Sequence, residues 1–163
     1  MDLSSFSLKD ILLAAMKSEV DSKAVYETLS ERVENAFLKN RLLFLSHEEE
    51  KHRQFIHELY TQNISTQEYA LPAKTPVPVP FLQLPSESEP LSQILESAMG
   101  AEQATHEFYK EMAREFSDSQ VQTMLLYFAD MELGHYRLLQ DELKTLKRFE
   151  DFDTEWPMMN VGP

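Results

Sequence analysis

In the first part of the chain apolar side chains recur every three or four residues: Leu8, Ile11, Leu12, Ala15 and Met16, then Tyr26, Leu29 and Val33. That is the spacing of one face of an α-helix, and it predicts a helix starting near Leu8, with Ser7 and Asp10 as a loose capping pair. Polar residues from Ser30 to Asn35 interrupt the stripe. It resumes at Leu38, Leu42, Leu45, Ile56 and Leu59, so two antiparallel helices joined by a short turn are expected over 8–62. The pattern then disappears. Pro72, Pro76, Pro78, Pro80 and Pro85 fall in the next stretch, and each ring removes a backbone donor, so an extended, proline-rich crossover is expected over 63–88.

Helical spacing returns near Ser88 to Leu91, with Leu91, Leu95, Ala98, Tyr109, Met112 and Phe116 on one face. After a helix start at Ser117-Asp118-Ser119 come Val121, Leu125, Phe128, Leu139, Leu146 and Phe149, which gives a second hairpin over 89–149 and a tail over 150–163. The tail carries Phe149, Phe152, Trp156, Met158 and Met159, and is expected to dock on its own bundle or on a second subunit. Near the end of the last helix, Lys144, Lys147 and Arg148 complement its dipole. Four helices paired as two hairpins around one long connection form an all-α four-helix bundle, and this architecture needs the connection that most compact domains would not tolerate. One domain over 1–163 is the expectation.

The two hairpins echo one another. A shift of 83 residues aligns Ile11 with Ile94, Leu12 with Leu95, Ala15 with Ala98, Met16 with Met99, Glu19 with Glu102 and Tyr26 with Tyr109. The same shift aligns Glu49 with Glu132 and His52 with His135. An internal repeat of this kind survives where packing or chemistry holds it.

Polar residues also stand where the pattern demands burial. The inward positions of the second helix read Leu42, Leu45, Glu49, His52, Ile56, Leu59, and those of the fourth read Val121, Leu125, Phe128, Glu132, His135, Leu139. Glu19 lies between Met16 and Tyr26, and Glu102 between Met99 and Tyr109. All four helices thus turn a carboxylate inward. Each would lose several kcal/mol on leaving water, and their mutual repulsion adds to this unless protons or cations neutralise them. No Lys or Arg occupies the seam, whereas two divalent ions would balance four carboxylates, with two imidazoles completing the set. Such mixed ligands suit iron or manganese better than a structural tetrahedral zinc. In Glu-x-x-His both ligands share one helix face about a turn apart.

Composition narrows the chemistry further. The chain has 163 residues, 15 Lys+Arg against 28 Asp+Glu, and a net charge of −13, which disfavours nucleic acid and anionic membranes as partners. With no cysteine there is no thiolate metal site, disulfide or cysteine nucleophile. The 3 glycines, none before Gly100, leave no phosphate-binding loop. No window is apolar enough to cross a membrane and no basic segment leads into an apolar stretch, so a cytoplasmic protein is expected.

Taken together, Glu19, Glu49-x-x-His52, Glu102 and Glu132-x-x-His135, with Tyr26 and Tyr109, resemble the ferritin-like superfamily of di-iron carboxylate proteins, above all rubrerythrin and its short relatives. The resemblance covers residues 8–149. It implies that Glu19 and Glu102 are single-carboxylate ligands of two iron ions, that Glu49, His52, Glu132 and His135 are the paired ligands, and that Tyr26 and Tyr109 donate to the carboxylates from behind. Manganese is the alternative metal, and zinc a substitute on purification. Two departures stand out. Rubrerythrin has a further Glu three residues after the third-helix ligand, where this chain has Thr105, and it carries a four-cysteine rubredoxin module that this chain lacks.

Electrons would therefore come from an external donor, such as a rubredoxin. The activity implied is reduction of hydrogen peroxide or dioxygen at the metals, with no catalytic residue beyond the metal site, in a homodimer or larger homo-oligomer. The alternatives are a ferritin-type ferroxidase handling iron, a hydroxylase or desaturase-like oxygenase, and a non-catalytic metal-binding helical module. His106 either reaches toward the metals or, more ordinarily, sits at the bundle's edge. His47 and His57 fall off the seam and are expected to be exposed, and of Glu48, Glu49 and Glu50 only the middle residue is expected to be buried.

Overall fold

The computed structural model describes residues 3–79, 82, 86 and 89–155, the last seven of these (149–155) as backbone only. Four helices account for most of them: α1 (Leu8–Arg32), α2 (Ala36–Asn63), α3 (Leu91–Arg114) and α4 (Ser119–Glu155). Among the described residues there is no strand. Caps set three of the helix starts. The Ser7 hydroxyl accepts from the Asp10 amide, the Asn35 side chain from the amides of Phe37 and Leu38, and Asp118 Oδ1 from those of Gln120 and Val121, satisfying donors that a first turn leaves without partners.

The core falls into two apolar layers. One holds Ile11, Leu12 and Met16 of α1, Ile56 and Leu59 of α2, Phe108 to Ala113 of α3 with Phe116 just after it, and Leu125 and Phe128 of α4. The other holds Val25 to Leu29 of α1, Leu38 to Leu45 of α2, Ile94 to Ala98 of α3, and Leu139 and Leu143 of α4. Each helix crosses from one layer to the other, so the layers also give directions: α1 and α4 run one way, α2 and α3 the other. Because α2 ends in the first layer and α3 begins in the second, the chain between them must travel the length of the bundle. Val77 is buried in the first layer and Leu82 in the second, with Ile64, Tyr69 and Leu71 packed on the first.

Burying a Leu or Ile contributes about 1.5–3 kcal/mol. The two apolar layers therefore carry the fold, while the polar layer between them opposes it until its charges are compensated. Met99 and Val121, placed on the seam by spacing, are only half-buried. The last helix also outruns its expected end: α4 continues past 149 to Glu155. Lys147 accordingly lies two turns before the helix end, where it pairs with Glu96 of α3 at 2.7 Å rather than facing the last carbonyls. Trp156, Met158 and Met159 lie outside the described residues.

Candidate metal centre

The layer between the two apolar ones is built from Glu19 on α1, Glu49 and His52 on α2, Glu102 on α3, and Glu132 and His135 on α4, all buried. Helical periodicity explains why each side chain points inward, since every one replaces an apolar residue in its helix's own stripe. Packing of the hairpins then brings the six together as two overlapping groups. In each, the ligand atoms lie within 4.8 Å of one another: Glu19, Glu49, His52 and Glu132 form one group, and Glu49, Glu102, Glu132 and His135 the other. Glu49 and Glu132 belong to both.

The two imidazoles are placed alike. His52 Nδ1 lies 2.8 Å from Glu132, 3.5 Å from Glu49 and 3.7 Å from Glu19. His135 Nδ1 lies 3.2 Å from Glu132, 3.5 Å from Glu102 and 3.8 Å from Glu49. Each ring thus faces both shared carboxylates and one private one. The tyrosines are reciprocal as well: Tyr26 of α1 donates to Glu102 of α3, and Tyr109 of α3 donates to Glu19 of α1.

Five buried atoms of the cage have no hydrogen-bond partner: Glu49 Oε1, both His52 nitrogens, Glu102 Oε2 and Glu132 Oε1. His52 Nδ1 approaches Glu132 Oε1 to 2.8 Å, yet the two are not aligned as donor and acceptor. Buried polar groups are nearly always paired, and converging lone pairs without protons between them are what a cation requires. The donor set, oxygen and nitrogen only, fits iron or manganese.

Without metal, protons must do the neutralising. Burial, reinforced by Glu132, pushes the Glu102 carboxyl up to about 8, and burial with the surrounding carboxylates raises Glu49 well above the usual range. Burial alone would also raise Glu132, but Glu102 and both histidines outweigh it and hold it low. Burial pulls His135 down, and Glu102 and Glu132 more than reverse this, lifting it to about 11; His52 is raised in the same way by Glu132, Glu19 and Glu49. Burial and the adjacent carboxylates likewise raise Tyr26 and Tyr109, which keeps both phenols protonated as donors.

Around the cage the outcome is mixed. Thr105 is buried and bonds back to the Ala101 carbonyl at 3.0 Å, so nothing there replaces a carboxylate. His106 bonds the Ala129 carbonyl of α4 at 2.6 Å and belongs to neither ligand group; it ties the second hairpin together at its edge. His47 is exposed as expected. His57 is half-buried, with its Nδ1 2.7 Å from the Tyr69 hydroxyl, because the connection after α2 folds back over it. Glu48 is also buried, its carboxylate bonded to Lys51 at 2.5 Å, which single-face periodicity could not reveal. The Met16, Tyr69 and His57 contact carried no sequence signal beyond Met16's place on the seam.

The sequence matches the Rubrerythrin family over residues 10–143. No curated protein is matched. Among solved structures, a hypothetical protein from Pyrococcus furiosus is 29% identical, with a TM-score of 0.79 over 90% of this chain and 94% of that one. A protein from Thermotoga maritima described as ferritin-like diiron-carboxylate is 22% identical, with a TM-score of 0.71 over 85% of this chain and 95% of its own. A manganese catalase from Anabaena shares the fold at 18% identity, with a TM-score of 0.65 over 85% and 73%. Among the described residues, no helix is long and apolar enough to cross a membrane.

Proposed function

The chain belongs to the rubrerythrin family, and from that premise we propose that it binds two iron ions and reduces hydrogen peroxide, or dioxygen, with electrons from an external donor protein. The observation that carries the reading is the pair of overlapping ligand groups with five unpartnered buried atoms between them. Glu19 and His52 would hold one ion, Glu102 and His135 the other, and Glu49 and Glu132 would serve both. When bound, two ferrous ions supply two electrons, which with two protons convert one hydrogen peroxide to two waters.

The chain's own groups prepare this. Tyr109 and Tyr26 each donate a hydrogen bond to one private carboxylate and hold it in place. The apolar layers above and below keep bulk water from the cage, which strengthens every interaction inside it. Glu102, whose carboxyl carries a proton near neutral pH without metal, gives it up on loading, so metal uptake releases protons. Manganese is the alternative occupant, and the like fold of a manganese catalase is in keeping with it.

The test is anaerobic loading followed by one equivalent of peroxide. About two metal ions per chain and consumption of one peroxide per pair, with two electrons lost from the protein-bound metal, is the expected result. A reduced, loaded protein that leaves peroxide untouched while dioxygen slowly drives mineral formation would instead support iron storage.

A further inference from the structure

Outside the cage, one polar contact lies at the edge of the first apolar layer. The Tyr69 hydroxyl lies 2.7 Å from His57 Nδ1 and 3.0 Å from the sulfur of Met16. Tyr69 is half-buried, its ring 4.6 Å from that of Tyr60, while Met16 is fully buried and stands one turn before Glu19 on the same face of α1. Tyr69 therefore links the surface to Met16, which stands one helical turn from a residue of the cage.

We propose that Tyr69 and His57 form a redox-active pair that would give up one electron, past Met16, to metal held in the cage when peroxide is in excess, and so carry oxidising equivalents out of the core. This rests on the metal reading above, which supplies the oxidant. The chemistry of the pair balances locally. Loss of one electron from the Tyr69 ring breaks the phenolic O–H bond, and the proton passes to His57 Nδ1, leaving a neutral phenoxyl radical and an imidazolium. One electron from an external reductant and return of the same proton restore both.

An imidazole nitrogen is a far better proton acceptor than a thioether, so in the tautomer with its hydrogen on Nε2 His57 takes the phenol's hydrogen bond at Nδ1 and Met16 is left as a polarisable contact. Burial raises the Tyr69 phenol above its usual range, so it keeps its proton until it is oxidised. Tyr26 and Tyr109 differ: each donates to a carboxyl group of the cage and is fully buried. Met16 is otherwise the oxidisable side chain beside Glu19, and a faster donor next to it protects it.

Two measurements test the proposal, both on full-length protein in which Tyr127 and Tyr136 are changed to Phe. In the metal-free protein, a photogenerated ruthenium(III) polypyridyl is expected to produce a tyrosyl radical detectable by electron paramagnetic resonance. Y69F should lower its yield at least fivefold and H57Q at least threefold, with melting temperatures confirming that both variants fold. Equal yields in either variant overturn the pair. In iron-loaded protein given excess peroxide and no donor, the same Tyr69-dependent signal is expected, and the Met16 sulfoxide fraction read by mass spectrometry should rise severalfold in Y69F. A signal seen with ruthenium but not with peroxide overturns the link to the cage. Protein that retains no iron counts against the metal reading and removes that link with it, while the ruthenium result still decides the pair.

Discussion

The two halves of the cage are made of the same residue types in the same register, yet their walls differ. The His52 half is sealed: the ring is 0% exposed, lies 4.4 Å from Phe128 and 5.8 Å from Tyr109, and both neighbours are buried. The His135 half is closed by less. Its ring meets the edge of Phe44 at 6.4 Å, and Phe44 is itself 49% exposed. Equal candidate ligands with unequal walls mean that binding chemistry and access are separate properties here: the cage residues decide the first, and the side chains outside them decide the second. Solvent and small solutes meet the thinner barrier on the Glu102 and His135 side.

The largest effects should come from breaking the symmetry of the ligand sets. Glu49→Ala or Glu132→Ala removes a ligand from both groups, so metal content measured after equilibrium dialysis should fall from about two per chain to below one. Glu19→Ala or Glu102→Ala touches one group only and should leave about one ion. A similar drop for all four variants would deny that Glu49 and Glu132 are shared.

Next in size is the contrast between the histidines. His52→Ala opens a cavity against buried Phe128 and should cost the metal-free protein about 3 kcal/mol in urea unfolding. His135→Ala, beside a half-exposed Phe44, can be backfilled by water and should cost about half as much. Equal losses would mean that the walls do not differ in packing.

The pH dependence follows from the raised groups. Glu102, lifted from 4.5 to about 8, leaves the fold unpenalised below the unfolded value, and stability is lost as pH rises through about 8. His135, lifted from 6.5 to about 11, has the same sign: its contribution is complete below 6.5 and disappears as pH rises through about 11. The melting temperature of chelated protein should therefore fall between pH 5 and 9, E102Q should flatten the early part of that slope, and the gain in melting temperature on adding metal should grow with pH. A chelated protein that became more stable toward pH 8 would contradict the assignment. The smallest effect on stability, within about 0.5 kcal/mol, is expected for Phe44→Ala, a half-exposed position. It should nevertheless speed metal loss to a chelator, whereas Phe128→Leu on the sealed side should not.

How far these features can be read without coordinates varies with their range. Glu19, Glu49, His52, Glu102, Glu132 and His135 were legible because each interrupts the apolar stripe of its own helix, a pattern that local spacing records. The helix starts at Ser7 and near Asp118 were legible for the same reason. Glu48 was not, because it lies on a flank of α2 beside the seam and only its surroundings bury it. The half-burial of His57 was not legible either, because nothing in its own helix predicts that Tyr69, twelve residues on, folds back onto it. The end of α4 lies further on than expected, at Glu155, although the spacing of Leu139, Leu143 and Leu146 continues at Phe149 and Phe152 and so already carried the signal for the extra turns.

Taken alone, the order of residues determined that the chain makes four amphipathic helices and that each presents an acid to its buried face, since both follow from a repeat of 3.6 residues and the exclusion of apolar side chains from water. Tertiary packing decided which acids are shared, that each tyrosine reaches across to the carboxylate of the opposite hairpin, and which imidazole lies behind the thinner wall. Those are contacts between helices tens of residues apart, and they exist only once the antiparallel hairpins dock and bring side chains from separate turns to within hydrogen-bonding reach.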